Sequence, residues 1–240
     1  MLMPAASLEV RNLSAGYGPT IVLEDLSFSV PAGARLSILG RNGMGKTTLL
    51  STLMGLNRRY GGEIIVGGKD LSSLKSSERA RQGVGLVPQT RDIFRSLTVE
   101  ENLIVGIKER PRSVIQEAYD MFPRLYERRA NLGWQLSGGE QQMLSTARTI
   151  LGKPSLLLLD EPLEGLAPVI CEELMAAFTR LADSGEMTVL LVEQRLESAL
   201  DFAESVLILE RGRIVWQGAS QALRDDHALV EHYIGVGSLH

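Results

Sequence analysis

A glycine-rich loop in the first quarter of the chain ends in lysine and threonine, a pattern that could bind the phosphates of a nucleotide. Its residues are Gly40, Arg41, Asn42, Gly43, Met44, Gly45, Lys46, Thr47 and Thr48. At this spacing the backbone amides point at phosphate oxygens, and the lysine reaches the β- and γ-phosphates. The hydroxyl of Thr47 is the expected ligand of Mg²⁺. The alternative is a turn with a chance lysine, but a strand before the loop and a helix after it favour a nucleotide site.

Two consecutive carboxylates, Asp160 and Glu161, follow four leucines at positions 156–159. The leucines predict a buried strand, and open α/β sheets bind ligands at the carboxyl ends of their strands. We therefore expect Asp160 to hold Mg²⁺, directly or through water, and Glu161 to polarise an attacking water as general base. The alternative for Glu161 is that it only caps the segment that follows. Together with the glycine loop, the pair predicts hydrolysis of a nucleoside triphosphate.

Between these segments lie residues 136–142, which read LSGGEQQ. Ser137, followed three residues later by Glu140, is a capping box that opens a helix. A capping box does not require Gly138 and Gly139, which cost about 1 kcal/mol each against alanine inside a helix. The glycines indicate that the backbone approaches another group closely, and a helix N-terminus favours an anion. We therefore expect these residues to bind a γ-phosphate that another subunit presents.

The elements that must position these residues alternate between strands and helices. Strands are expected at residues 8–13, 21–30, 35–39, 63–66, 84–87, 156–159 and 188–192, and a final hairpin at 206–210 and 213–217. A helix is expected at 46–56, directly after the glycine loop. Residues 92–151 are expected to be mostly helical, with a capping box at 98–101. This pattern predicts one domain over residues 1–240, with an α/β core of 1–91 and 152–240 and a helical subdomain of 92–151.

The order of these motifs, with Gln89 after Val87 and Pro88, resembles that of ATP-binding-cassette (ABC) ATPase subunits over nearly the whole chain. The resemblance implies a P-loop core with a mixed sheet, an N-terminal antiparallel β segment and an inserted helical subdomain. It implies ATP and Mg²⁺ as ligands, with Tyr17 stacked on adenine and Gln89 in contact with Mg²⁺ and the attacking water. Without the family, Tyr17 would be an ordinary turn aromatic.

Several segments are similar to one of the two ATPase subunits of branched-chain amino-acid importers, or of their urea and short-amide relatives. They are residues 87–94, 97–103, 122–125, 165–168 and 191–194. The resemblance implies a second ATPase subunit, identical or different, two membrane permeases and, indirectly, a substrate-binding protein outside the cell membrane. A permease helix would dock around residues 91–101, although charged residues there are also typical of a solvated loop. The transported substrate is selected by the other subunits, not by this chain.

Two positions depart from the general cassette pattern. Gln194 stands where a histidine is usual, and Glu164 and Ala167 stand where many cassettes have serine and aspartate. A glutamine amide can donate to a γ-phosphate but cannot carry a proton or a positive charge, so some loss of transition-state stabilisation is expected. The branched-chain importer subgroup resembles this sequence at both places. The departures therefore do not predict an inactive site.

The charge, the cysteine count and the apolar runs of the chain limit its possible partners and its location. The chain has 240 residues and a net charge of −4, so no basic excess indicates a nucleic-acid partner. A single cysteine, Cys171, is typical of a reducing compartment and excludes an internal disulfide. No run approaches the roughly 18 apolar residues of a membrane span, and the first residues do not have the pattern of a signal peptide. We therefore expect a cytoplasmic protein that lies at the inner face of the cell membrane through its permease partners.

Alternatives within and outside the family remain. An ATPase for lipid or lipopolysaccharide export shares the compact single-cassette form. Cassette proteins that act on ribosomes usually carry two cassettes in one chain, and those of DNA repair carry a long coiled coil, neither of which this sequence contains. A GTPase is disfavoured because the sequence has no Asn-Lys-x-Asp segment to read guanine.

Overall fold

The computed structural model describes residues 4–235. Residues 1–3 and 236–240, the two ends of the predicted domain of residues 1–240, lie outside the described residues. The prediction that the chain does not begin with a signal peptide also concerns residues 1–3. The described strands are β1 (Leu8–Tyr17), β2 (Thr20–Val30), β3 (Arg35–Leu39), β4 (Arg58–Val66), β5 (Lys69–Asp70), β6 (Val84–Val87), β7 (Leu156–Asp160), β8 (Thr188–Val192), β9 (Ser205–Glu210) and β10 (Arg213–Ala219). The described α-helices are α1 (Lys46–Met54), α2 (Ser76–Arg81), α3 (Val99–Gly106), α4 (Ile115–Met121), α5 (Pro123–Glu127), α6 (Gly138–Leu151), α7 (Pro168–Asp183), α8 (Leu196–Phe202), α9 (Ser220–Asp225) and α10 (His227–Ile234).

A six-stranded sheet forms the centre of the described chain, in the order β10-β9-β3-β8-β7-β6. The five strands from β9 to β6 are parallel, and β10 pairs antiparallel with β9 as the predicted final hairpin. Every residue of β7 is buried, as expected for a parallel strand covered on both faces. In this sheet Asp160 pairs with Val192, so the carboxyl ends of β7 and β8 meet at one edge. That edge is also where β3 enters the glycine loop.

A second, antiparallel sheet has the strand order β2-β1-β4-β5. Its β1 runs to Tyr17, beyond the expected end at residue 13, because residues Ala15 to Tyr17 still pair with β2. Its β4 begins at Arg58, before the expected residue 63, because Arg58 pairs with Gly16. A buried apolar cluster with members such as Leu23, Leu50 and Leu158 joins this sheet to α1 and the central sheet. The mixed α/β architecture and its antiparallel N-terminal part agree with the sequence-based expectation.

The stretch between β6 and β7 contains helices α3 to α6 and one isolated β-bridge, Thr98 to Leu132. The expected capping box begins α3: the amide of Glu101 donates to Thr98 Oγ1 at 3.1 Å, and the amide of Thr98 donates to Glu101 Oε2 at 2.7 Å. The four helices share one buried apolar cluster with β7 and α7, to which Leu144 and Phe178 belong. The helical part is therefore packed against the sheet that carries the carboxylates.

Helix α1 ends at Met54 and not at the expected residue 56. Gly55 follows in the left-handed conformation with φ of 78°, a common way for a helix to end. Among residues 4–235, no helix combines the length and the apolar character that crossing a bilayer requires.

Candidate nucleotide site

The glycine loop connects the carboxyl end of β3 with the N-terminus of α1. Gly40 has φ of 149°, and a Cβ atom there would lie 2.3 Å from the carbonyl oxygen of Leu209. Gly45 has φ of 104°, and a Cβ atom there would lie 2.8 Å from Leu23 Cδ2. Both positions therefore require glycine for space as well as for backbone conformation. The loop is held against β9 and the antiparallel sheet, which fixes where its amides lie.

Lys46 is buried inside this loop, with 4% of its surface exposed. Its Nζ donates to the carbonyl oxygens of Gly40 at 2.8 Å and Arg41 at 3.1 Å, and it pairs with Glu161 Oε1 at 3.4 Å. A buried ammonium needs such partners because desolvation of an unpaired charge is costly. The lysine charge is thus already positioned at the loop, where phosphate oxygens would replace its present partners.

Beside the lysine lies an open cavity of about 270 Å³. The lining includes most of the loop residues and the predicted catalytic residues: Val22, Asn42, Gly43, Gly45, Lys46, Thr47, Thr48, Gln89, Glu161, Glu164 and Gln194. Five segments that are far apart in sequence therefore converge here. The other predicted loop residues, Gly40, Arg41 and Met44, belong to the same loop but do not line the cavity.

Glu161 lines the cavity and is 7% exposed. Its Oε2 accepts hydrogen bonds from the side-chain Nε2 of Gln194 and, at 3.4 Å, from the side-chain Nε2 of Gln89. Its backbone has a positive φ of 45°, and its amide donates to the carbonyl of Val192 at 2.9 Å. Positive φ is uncommon outside glycine and here turns the side chain toward the cavity. Two of the residues predicted for catalysis, Gln194 and Gln89, therefore both contact the third, Glu161.

Asp160 lies one residue earlier, with 4% exposure, and accepts a hydrogen bond from Thr47 Oγ1 at 3.1 Å. The pKa of its carboxyl is raised to about 6: burial and the charge of Glu161 raise it, and the hydrogen bond from Thr47 lowers it. Hydroxyl, carboxylate and amide oxygens are the hard donors that Mg²⁺ prefers. The side chains of Thr47, Asp160 and Gln89 could therefore hold Mg²⁺ together with phosphate oxygens.

The raised pKa of Asp160 gives an expected pH dependence of stability. The folded carboxyl keeps its proton up to about pH 6, whereas in the unfolded chain it loses the proton near pH 3.8. The folded state binds more protons between these values, so its stability must fall as the pH rises from about 4 through about 6. We expect the nucleotide-free chain to lose up to about 3 kcal/mol relative to the Asp160→Asn variant over this range. Urea unfolding of both proteins from pH 4 to pH 7 measures the difference, and parallel curves would contradict it.

Ser137, Gly138 and Gly139 lie at the N-terminus of α6 and do not line the cavity of Lys46. The capping box is present: the amide of Ser137 donates to Glu140 Oε2 at 2.8 Å, and the amide of Glu140 donates to Ser137 Oγ at 3.3 Å. Within one chain, the phosphate loop and this helix start are therefore separate sites.

The glycines of this helix start also have close neighbours within the chain. A Cβ atom on Gly138 would lie 3.0 Å from Arg91 Nη1, and one on Gly139 would lie 3.0 Å from Ile170 Cγ2. Internal packing is therefore a second reason for the two glycines, beside the close approach of a phosphate that the sequence predicts.

Tyr17 is 51% exposed at the end of β1 and is not among the residues that line the cavity. An exposed aromatic ring is available for stacking, and the structure places it next to the tight turn into β2. Its predicted contact with adenine stays a prediction.

Two residues at or beside the site, Val22 and Glu193, have no role in the sequence-based predictions. Val22 lines the cavity from β2, and nothing in its sequence context marks it. Glu193 is 3% exposed. Its Oε1 accepts hydrogen bonds from the backbone amides of Gln194 at 2.9 Å and Arg195 at 3.3 Å. Burial raises the pKa of the Glu193 carboxyl. The sequence signal for Glu193 is its position directly after a buried apolar strand, which Glu161 shares.

Arg148 of α6 joins the helix that begins at Ser137 to the predicted permease-docking segment, residues 91–101. Its Nη2 donates to the carbonyl of Asp92 at 2.6 Å, and its guanidinium lies 5.0 Å from the centre of the Phe94 ring. Phe94 is 46% exposed, so an aromatic surface is available on this segment. Through these contacts, Arg148 connects the segment after Gln89 to the helix that starts at Ser137.

Comparison with known proteins places these features in a family. The family model described as "ABC transporter" matches residues 23–164. The high-affinity branched-chain amino acid transport ATP-binding protein BraG of Pseudomonas aeruginosa is 39% identical, over 95% of this chain and 99% of that protein. The lipopolysaccharide export system ATP-binding protein LptB of Haemophilus influenzae is 33% identical, over 95% of this chain and 97% of that protein.

A solved structure, that of a nucleotide-free ATP-binding cassette from an ABC transporter, has the same fold. Its TM-score is 0.81 at 23% identity, and the match covers 97% of this chain and 100% of that chain. The likeness confirms the expected fold class: an α/β P-loop core with a mixed sheet, an antiparallel N-terminal sheet and a helical subdomain.

Proposed function

Because the chain belongs to the ABC transporter family and is an ATP-hydrolysing subunit of that family, we propose that it drives uptake of branched-chain amino acids through separate permeases. The observation that supports hydrolysis by this chain is the convergence of Lys46, Glu161, Gln89 and Gln194 on one cavity. The observation that supports branched-chain amino acids is its 39% identity to BraG over nearly the full length of both proteins.

The chain's own residues divide the binding of MgATP among them. The loop amides and Lys46 bind phosphate oxygens, and Thr47, Asp160 and Gln89 offer oxygen atoms to Mg²⁺. Mg²⁺ would neutralise charge on the triphosphate, as it does in phosphoryl transfer generally. Tyr17, on the exposed end of β1, stacks on the adenine ring in this proposal. The donor atoms found at Thr47 and Asp160 fit this assignment because both are hard oxygen ligands.

Glu161 accepts the proton of the attacking water, and Gln194 donates its amide hydrogen bond near the γ-phosphate. The contact between Gln194 and Glu161 supports this pairing, because it brings the amide next to the base. Gln194 stabilises charge only as a neutral donor, so its contribution to the rate is smaller than that of a cationic group.

The working unit in this proposal is a pair of ATPase subunits, identical or different. The separation of the helix start at Ser137 from the cavity of Lys46 supports pairing, because each could complete the site of the other subunit. ATPase subunits of ABC transporters act together with membrane permeases. We place two permeases on the pair, with a helix of one permease docked on residues 91–101 of this chain. A substrate-binding protein lies beyond the permeases, and this chain lies at the inner face of the cell membrane. The single ATPase domain, with its helical subdomain at 92–151, is part of the same proposal.

Two other substrates compete with branched-chain amino acids. Uptake of urea or short amides rests on the sequence segments that the related importers share. Export of lipopolysaccharide is favoured by the 33% identity to LptB over nearly all of both chains. A role outside transport, on ribosomes or DNA, is the less favoured alternative, because the relatives named above are transport proteins.

An uptake assay separates these possibilities. We expect cells that lack this chain to lose most of their high-affinity uptake of labelled leucine while retaining uptake of labelled urea. The wild-type chain should restore leucine uptake, and the Glu161→Gln variant, produced at the same level, should not. Loss of urea uptake with leucine uptake intact would replace the proposal with the urea assignment. Intact uptake of both, with lipopolysaccharide retained inside the cell, would replace it with export.

A further inference from the structure

Glu164 is an exposed carboxylate that lines the nucleotide cavity, on the loop between β7 and α7. Its Oε2 accepts a hydrogen bond from Nε2 of Gln89. The same nitrogen also approaches Glu161 Oε2 at 3.4 Å. One side-chain nitrogen of Gln89 therefore faces two carboxylates.

This arrangement determines which end of the Gln89 amide faces which group. An ionised carboxylate only accepts hydrogen bonds, so the amide must turn its nitrogen toward Glu164 and Glu161. Its oxygen then points away from the carboxylates and is available as a ligand. A charge-assisted bond of this kind is about twice as strong as one between neutral groups, so the orientation is held firmly.

We propose that Glu164 is a positioning residue, which holds the nitrogen of the Gln89 amide and so presents the amide oxygen to Mg²⁺. The inference rests on the proposed function, because it concerns the ligand set of MgATP. It acts through Gln89 and requires no contact between Glu164 and the metal ion. Mutation of a group that holds a metal ligand in place typically lowers metal affinity by roughly 10- to 100-fold.

The residue type at position 164 matters for this role. A serine, which many cassettes have at this position, can either donate or accept and therefore does not select one orientation of the amide. The carboxylate of Glu164 selects only one. Glu164 thus fixes the orientation of Gln89, an amide that could otherwise turn either way.

The test measures how strongly Mg²⁺ tightens nucleotide binding, without any hydrolysis. The dissociation constant of the non-hydrolysable analogue AMP-PNP is determined for the full chain in EDTA and in Mg²⁺, and their ratio is the Mg²⁺ enhancement. Five proteins are compared with wild type: Glu164→Ala, Glu164→Gln, Gln89→Ala, the Glu164→Ala/Gln89→Ala double variant, and Glu172→Ala. The last removes an exposed carboxylate from α7, away from the cavity lining.

We expect Glu164→Ala to reduce the enhancement about tenfold, as is typical when the partner of a metal ligand is removed. Glu164→Gln carries an amide that can donate or accept, so it no longer selects one orientation of Gln89, and its enhancement should also fall, by no more than that of Glu164→Ala. Gln89→Ala should show a loss as large as Glu164→Ala, and the double variant should lose nothing more, since both residues act through one amide. Glu172→Ala should match wild type.

Three results would overturn the inference. An unchanged enhancement in Glu164→Ala would remove the role altogether. An unchanged enhancement in Glu164→Gln would show that an acceptor-only side chain is not needed to select the orientation of the amide. Additive losses in the double variant would show that Glu164 acts independently of Gln89. If wild type itself fails to bind AMP-PNP, the proposed function fails, and that outcome is distinct from all three.

Discussion

Replacing Glu161 with glutamine is expected to lower ATP turnover of the assembled transporter at least about 100-fold, the usual contribution of a general base. Glutamine has nearly the same shape and can still accept the hydrogen bond from Gln194, but it cannot take a proton from water. Nucleotide binding should survive. The substitution also removes the negative charge that lies 3.4 Å from Lys46 Nζ, so the lysine charge no longer pairs with a carboxylate of its own chain and remains available to the phosphates.

Steady-state phosphate release by the purified complex measures this effect, with ATP affinity of the isolated chain measured in parallel. Gln194→Ala is the graded comparison: it removes a neutral donor and leaves the base in place, so turnover should fall by a smaller factor than in Glu161→Gln. Glu172→Gln, a carboxylate outside the cavity, should leave turnover unchanged. Wild-type turnover in the Glu161 variant would overturn the assignment of the base.

The parts of the site that follow from sequence are those in which chemistry and backbone are adjacent in the chain. Lys46 and Thr47 come directly after a strand and a glycine loop, and Asp160 and Glu161 end a strand of leucines. The residues that follow a buried parallel strand lie at the carboxyl edge of the sheet. The prediction of their positions therefore needed no knowledge of long-range contacts.

The remaining features depend on contacts between distant segments. The bond between Gln89 and Glu164 and that between Arg148 and Asp92 join residues far apart in sequence, and no local pattern encodes either. Val22 enters the cavity only because the antiparallel sheet packs beside the loop. The start of β4 at Arg58 likewise depends on pairing with β1, and the strand propensities of the β4 residues alone do not predict that pairing.

The helix start at Ser137 shows both situations in one motif. Its capping box is local, and the structure contains both reciprocal hydrogen bonds. The neighbours of its glycines are not local: Arg91 comes from the segment after Gln89, and Ile170 from α7. A function for the glycines therefore has to be tested against packing as the alternative.

Gly138→Asp tests that function, and we expect it to lower turnover of the assembled transporter at least about 100-fold, as loss of a charge-stabilising site typically does. Its carboxylate would occupy the helix N-terminus that is proposed to receive the partner's γ-phosphate, and two anions there repel each other. AMP-PNP affinity of the isolated chain should stay unchanged, because Gly138 does not line the cavity of Lys46.

Gly138→Ala is the matched control for packing. It adds a methyl group that would lie 3.0 Å from Arg91 Nη1, the far end of a flexible side chain that can move aside. Alanine is also the better helix former by about 1 kcal/mol, so the fold should not be weakened. If both variants lose turnover equally, packing explains the glycine. If only the aspartate variant does, and the isolated chain still binds nucleotide, the helix start acts on a phosphate held by the other subunit.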